Sequence, residues 1–251
     1  MAEKNIKIIV EYKGTAFAGW QIQAGQPTLQ GAITEAVFKV TGQKINLIGA
    51  GRTDAGVHAL GQVANFLIDH RLEPDRYAEA INFYLSDDIY IRESSEIALD
   101  FNARFKARYR RYRYLMAAQK PALYREYRWE HRRKLDFNRL QEAAQMVLGE
   151  HDFSPFCVVS SRKEDNNCFI EFSRWFQIGS LWVYEIRGNR FLHSMVRSLV
   201  GAMVNLADLE PDNNVLNLTL EQFNDIINFQ TDKRVAFAAP AQGLYLVAVG
   251  Y

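Results

Sequence analysis

The sequence is poor in cysteine and has no long apolar run, and these two absences remove several classes of protein. Cys157 and Cys168 are its only cysteines. They show no CxxC spacing and have no histidine pair nearby, so neither a disulfide framework nor a zinc set is expected, and both thiols should be reduced. No segment approaches the roughly 18 consecutive apolar residues needed to span a bilayer. The most apolar helical pattern, Arg190 to Asp208, is interrupted by Arg197 and Asn205. The opening stretch MAEKNIKIIVEY places charges of both signs around a short apolar run and lacks a small-residue cleavage site, unlike a signal peptide. A cytoplasmic protein without a membrane role is expected. Low-complexity tracts, Gly/Ser linkers and short-period repeats are also missing.

What is present is the composition of a folded globular protein, 48% hydrophobic and 24% charged. Its 251 residues suffice for one large domain or two small ones. A net charge of only +1 argues against a uniformly positive field for nucleic acid. The charge is instead local: 12 of the 30 Lys and Arg lie between Arg104 and Lys134, where Glu126 and Glu130 are the only acids.

Periodicity supplies an outline. Ile6, Ile8, Val10 and Tyr12 alternate as in a half-buried strand over Asn5 to Tyr12. Leu29, Ile33, Ala36, Val37 and Val40 recur at helical spacing between the N-cap candidate Thr28 and a stop at Gly42. A strand over Lys44 to Ile48, a glycine-rich loop at 49–62 and a strand from Val63 to Ile68 follow. Pro74 opens a helix with Tyr77, Ile81, Tyr84 and Leu85 inward. From about Ala107 a similar grammar repeats. Tyr112, Tyr114 and Met116 share one face of a strand, with Arg111, Arg113 and Leu115 on the other. Asp136 caps a helix with Phe137, Leu140, Ala144 and Val147 inward, ending at Gly149. Strands at Phe169 to Ile178 and Leu181 to Arg187 precede the apolar helix. Thr219 and Gln222 have capping-box spacing ahead of Phe223, Ile226 and Ile227, and Leu244 to Val249 alternates. The pattern implies an α+β fold with mainly antiparallel sheet, divided into residues 1–105 with the loop 49–62, and residues 106–251.

The loop GAGRTDAGVHALGQ fits neither common phosphate-binding motif. A dinucleotide fingerprint needs glycine where Asp54 stands, a P-loop needs GK[ST], and a carboxylate would repel phosphates. The loop instead presents Asp54 between Gly51 and Gly56, two residues from Arg52, where the backbone can turn tightly and a ligand can approach. By itself such an aspartate is more often a turn residue than a catalyst. His58 and the other histidines give no triad and no HExxH spacing, which disfavours metal or triad chemistry. In FNARFKARYRRYRYL, Arg104, Lys106, Arg108, Arg110, Arg111 and Arg113 interleave with Phe105, Tyr109, Tyr112 and Tyr114. Arginines neutralise phosphates and aromatic rings stack on unpaired bases, so the pattern suits RNA; a strand with core tyrosines and solvated arginines has the same pattern.

GRTDAGVHALGQV at 51–63, FNARFKARYRRYRY, HDFSPFC, FLHSMVR and APAQGLYL occur in an order that resembles the tRNA pseudouridine synthase A family over essentially the full chain. The sequence departs from that pattern at Asn102, Ser86 and Pro155, and LADLEPDNN lacks a glycine pair. The resemblance implies the pseudouridine synthase fold, two related modules sharing a mainly antiparallel central sheet flanked by helices, with the active-site cleft between them. It also implies a homodimer, no metal or organic cofactor, and tRNA as partner, with target uridines at the end of the anticodon loop and the start of the stem that follows.

By the same resemblance Asp54 starts the reaction, whether by attacking sugar or base or by abstracting a sugar proton. Tyr112 lies against the flipped uracil, Leu244 is an apolar wall residue, and Arg52 engages RNA phosphate. Arg197 stands on an otherwise apolar helix and needs an anion; the resemblance makes that anion Asp54, and without it Arg197 is equally a structural ion pair. Two rivals are an RNA-binding protein without chemistry and a nucleoside hydrolase. The second usually needs paired carboxylates, and the 49–68 stretch has no second acid.

Overall fold

The computed structural model describes residues 3–119, 122–210, 218–229, 235 and 237–251. In chain order the elements begin with strand β1 (Lys4–Tyr12), helix α1 (Leu29–Thr41), strands β2 (Ile48–Gly49) and β3 (His58–Ile68), and helix α2 (Tyr77–Asn82). Strands β4 (Ile89–Ile97), β5 (Tyr109–Ala117) and β6 (Trp129–Glu130), helix α3 (Phe137–Met146), and strands β7 (Gly149–Asp152), β8 (Asn167–Ile178) and β9 (Leu181–Gly188) follow. Helices α4 (Met195–Ala207) and α5 (Leu220–Ile227) and strand β10 (Leu244–Gly250) come last. This is an α+β chain, and its contacts divide it into a first unit, up to Arg108 plus Tyr245–Tyr251, and a second unit, Tyr109–Leu244. The boundary expected at 105/106 falls slightly earlier and leaves the closing strand with the second module. Tyr245 and Leu246 instead pair with His58 and Ala59, which ties that strand to the first.

In the first unit the strand order is β4-β1-β3-β10, with β2 alongside β3. Strand β1 runs antiparallel to β3 and β4, and β10 runs parallel to β3. The alternation in β1 sends Ile6, Ile8 and Val10 into full burial. Helix α1 starts where Thr28 Oγ1 accepts from Gly31 N and stops at Gly42, as its spacing predicts. The other face of β1 carries a buried polar network. Asn5 Nδ2 donates to the Ala98 and Phe101 carbonyls, Asn65 Nδ2 donates to Asn5 Oδ1, and Ala103 N donates to Asn65 Oδ1. Two asparagines thus replace a ladder for the irregular 98–103 segment, whose backbone groups would otherwise be buried unpaired.

In the second unit β5-β9-β8-β7 form an antiparallel sheet, with β6 parallel to β5. Helices α3 and α4 pack on the face carrying Trp175, whose N–H groups meet Gln141 Oε1 and Met203 Sδ. Asp136 caps α3, and Thr219 with Gln222 completes the capping box of α5. Both cysteines are free, and burial pushes the Cys168 thiol up to about 12.

Several expectations needed correction. Of the Lys44–Ile48 run only Ile48 is strand, joined in β2 by Gly49, because Gln30 Nε2 takes the Leu47 carbonyl that a ladder would use. Strand β3 begins at His58, so the glycine-rich loop is shorter than 49–62. Strand β4 has no counterpart in the periodicity; its register on β1 slips between Ile9 and Val10, which breaks the alternation. Tyr84 is 45% exposed rather than inward, because α2 ends at Asn82, whose side-chain amide clasps the Ile91 backbone through both its atoms. Phe137 sits exposed in the first turn of α3. Helix α4 starts only at Met195, after Ser194 adopts φ 60. The end of LADLEPDNN, from residue 211, and Lys120 lie outside the described residues.

The asparagine network gives a direct test. Asn65→Leu strands Asn5 Oδ1 and Ala103 N–H in a dry site and is expected to lower the unfolding free energy by about 2–3 kcal/mol, read from the urea midpoint.

Candidate active site

Asp54 lies half-buried in the loop between β2 and β3, beside the exposed Arg52. The loop has no regular structure, and its backbone is satisfied from several directions. Ala50 N donates to Val63 O, and Gln62 Nε2 donates to Gly51 O. Trp20 N donates to Thr53 O, and Val57 N donates to Asp54 O across a tight turn. The Thr53 hydroxyl is 2.7 Å from the Tyr12 hydroxyl. Past the turn, His58 Nδ1 accepts from Gly14 N, and its ring stacks on Tyr245 at 4.9 Å. The 14–20 segment comes so close at residues 14 and 19 that a side chain is excluded at each. A Cβ at Gly14 would overlap the Val57 carbonyl, and one at Gly19, φ 100, would sit 2.7 Å from Thr53 O.

The second unit holds Tyr112, Leu244 and Arg197. Tyr112 is 7% exposed on β5, with its ring edge-on to Phe191 at 5.1 Å. Arg197 occupies the first turn of α4 and joins the APAQGLYL segment at two points: Nε donates to Ala239 O at 2.8 Å, and its own carbonyl accepts from Ala239 N. Helix and segment touch because residue 201 is glycine; a Cβ there would lie 2.5 Å from Phe237 O. One residue further along, Pro240 O accepts from the Tyr114 hydroxyl at 2.8 Å. Burial pushes the Tyr114 phenol well up, and the Arg197 charge only partly offsets this. The segment ends at Leu244, itself buried. Arg197 therefore has a structural bond to this segment in addition to any other partner.

The basic strand is not one surface. Arg104 and Arg108 are exposed, and Arg104 lies over the Phe105 ring. Arg110 Nη1 donates to Asn189 O. Arg111 and Arg113 project from the face of β5 opposite Tyr112 and both reach the buried Glu185, at 3.5 and 3.3 Å. Alternation gave the faces correctly, but the sequence offered no sign that an acid on β9 pairs with two of the arginines. The side chains that bond the Asp54 loop, Tyr12, Thr53 and Gln62, and the Tyr114 hydroxyl that bonds Pro240 were likewise missed. A polar residue at an apolar position of a strand, such as Gln62, was the one available signal. Among the described residues no group of three or more His, Cys, Asp or Glu could hold a metal ion, and no helix is long and apolar enough to cross a membrane.

The pieces described so far are those of an α+β protein with a single carboxylate on a rigidly held loop and a tyrosine-arginine strand. A family model described as tRNA pseudouridine synthase matches residues 8–106 and 143–251, and the chain belongs to that family. The matched stretches contain Asp54, Arg197 and Leu244; Tyr112 falls between them. A protein called tRNA pseudouridine synthase A from Acetivibrio thermocellus is 41% identical over 250 residues, covering 99% of this chain and 100% of the relative. Proteins of the same name from Brachyspira hyodysenteriae (39% over 245 residues, 96% of each chain) and Caldicellulosiruptor bescii (37% over 257 residues, 99% of this chain and 100% of the relative) are also similar.

Proposed function

We propose that this chain isomerises uridine to pseudouridine in tRNA, with Asp54 as the reacting carboxylate. The observation that carries the reading is the GRTDAGVHALGQV loop, where one carboxylate is held on a backbone bonded at Gly51, Thr53, Asp54 and Val57 within a chain of the tRNA pseudouridine synthase family. The isomerisation breaks the bond from ribose to N1 of uracil, turns the base, and joins the sugar to C5; N1 gains a proton and C5 loses one. There is no net redox change and no water is consumed, so one positioned carboxylate suffices as nucleophile or base. A base inside a stem must first leave its stack. In this reading Tyr112 supplies a ring for the extruded uracil, Leu244 an apolar wall, Arg52 a phosphate contact and Arg197 a cation for the same reaction. The target uridines are those at the end of the anticodon loop and the start of the following stem, and the enzyme works in the cytoplasm as a homodimer without metal or organic cofactor.

Phosphate contacts are best assigned to Arg104, Arg108 and Arg110, since Arg111 and Arg113 share Glu185 and keep only one net charge between them. Replacing Arg108 and Arg110 together by alanine is expected to weaken tRNA binding and to reduce the slope of log affinity against log salt by up to about 2. An unchanged slope would take both residues off the RNA surface.

For the dimer, sedimentation equilibrium at micromolar concentration should show a species of twice the chain mass. A single species near 28.9 kDa would reject it.

The Asp54→Asn variant tests the chemistry. The amide is nearly isosteric with the carboxylate but is neither a nucleophile nor a useful base, so pseudouridine formation should fall by more than about a thousandfold, or roughly 4 kcal/mol. Affinity for tRNA should stay within a few fold. Measuring released uracil in the same assay separates the rivals: a hydrolase yields uracil alone, and a simple RNA binder yields neither product.

A further inference from the structure

We propose that Tyr12 is a positioning residue for Asp54, acting through the hydroxyl of Thr53. The inference rests on the reading of Asp54 as the reacting carboxylate.

Tyr12 is the last residue of β1 and is 3% exposed; Thr53 is 7% exposed. Their hydroxyls meet at 2.7 Å, the usual length of an O–H···O bond. The two side chains come together because the register of β1 on β3 shifts just there: Val10 faces Gln62, whereas Tyr12 faces Ala59. A bulge of this kind re-aims the residue beside it. The Tyr12 ring is fixed in turn by Trp20, with centroids 6.1 Å apart, and the backbone N of Trp20 holds the Thr53 carbonyl.

The consequence for Asp54 follows from the covalent geometry. The Thr53 carbonyl belongs to the planar peptide group that leads into Asp54, so fixing that oxygen fixes the plane. The Asp54 carbonyl, on the other side, accepts from Val57 N. Asp54 thus stands between two fixed peptide planes, and only its side-chain torsions stay adjustable. The Thr53 carbonyl bond alone would anchor the residue at one point and leave its side chain to choose among rotamers. A β-branched residue whose hydroxyl is also bonded has one choice. Tyr12 supplies that second bond from outside the loop. A side chain whose only task was to fill the core could be phenylalanine, with no buried hydroxyl to satisfy.

Tyr12→Phe keeps the ring and removes the bond. In single-turnover assays with tRNA, the rate constant for pseudouridine formation is expected to fall about 10- to 100-fold, the size of effect that a displacement of the order of 1 Å produces. The Kd for tRNA should change less than about twofold, because no phosphate or base contact is touched. Thr53→Val should reproduce the loss, and Thr53→Ser, which retains an Oγ, should recover most of the rate lost in Thr53→Val. The double variant Tyr12→Phe/Thr53→Val should be about as slow as the single variants, because all three lack the same bond. Its thermal stability should be at least that of the single variants, since neither hydroxyl is left buried without its partner. A rate that recovers along with stability in the double variant would show a structural role only and overturn the proposal, as would a wild-type rate in Tyr12→Phe. Asp54→Asn run in parallel separates the two readings. If it is inactive while Tyr12→Phe is fully active, only the positioning inference fails; if it is active, the role of Asp54 itself fails.

Discussion

The loop that carries Asp54, the proposed reacting carboxylate, has to pair its backbone groups without a helix or a ladder, and the first unit is arranged around that requirement. Buried peptide groups left unbonded are costly, so each turn of the 50–57 loop is met by a donor or acceptor from elsewhere. The backbone of β3 serves Ala50, Gln62 serves Gly51, Trp20 and Tyr12 serve Thr53, and Val57 serves Asp54. Several of these partners lie in or just after β1 and in the 14–20 segment, which is why that segment has to approach the loop so closely. The glycines at 14 and 19 follow from this closeness, because any side chain at either would push the segment off Thr53 and Val57. Removing one donor loosens the carboxylate without touching it.

The second unit applies the same rule to a different element. The stretch before β10 is irregular, and its carbonyls at Ala239 and Pro240 are taken by Arg197 and Tyr114. Arg197 is thereby fixed by the very segment that leads to Leu244, so two of the residues with a proposed part in the reaction share one scaffold. Its Nε is engaged, which limits the guanidinium to presenting its remaining edge. A lysine at this position would lose the bond to Ala239 or lose its reach, because a single ammonium does not have two edges.

How much of this was legible depended on whether the signal was local. Strand β1, helix α1 with Thr28 and Gly42, and the capping box at Thr219 were readable because caps and alternation involve residues within a few positions of each other. Strand β4 was not readable, because a register slip spoils its period, and neither was the end of α2, where Asn82 bonds a strand that follows it. The loop's length was overestimated because His58 to Gln62 owe their extended form to pairing with β1 and β10 and not to their own propensity. Motif order suggests Asp54 as the carboxylate to propose, whereas its supports are not legible there. Tyr12 and Thr53 are 41 positions apart, and nothing in either neighbourhood marks the pair.

Charge behaves in the same way. Counting basic residues over 104–134 gives a strong positive run, but the field a ligand meets depends on what the sheet brings alongside. Strand β9 places Glu185 opposite Arg113, and two guanidiniums then lean on one carboxylate that is almost out of solvent. A carboxylate in that position is tolerable only because it is paired twice, and the arginines lose freedom in return. Arg187, on the same face, is paired with Glu171 and lies over the Tyr109 ring. The arginines on this side of β5 are therefore parts of a sheet-spanning ion network, and the capacity to bind an anion is concentrated in those outside it. Exposed Arg104 and Arg108 lie at the entrance to the strand, and Arg110 falls on the Tyr112 side of it. Of the residues with proposed RNA contacts, Arg110 and Tyr112 share one face of β5, while Arg111 and Arg113 on the other face belong to the ion network.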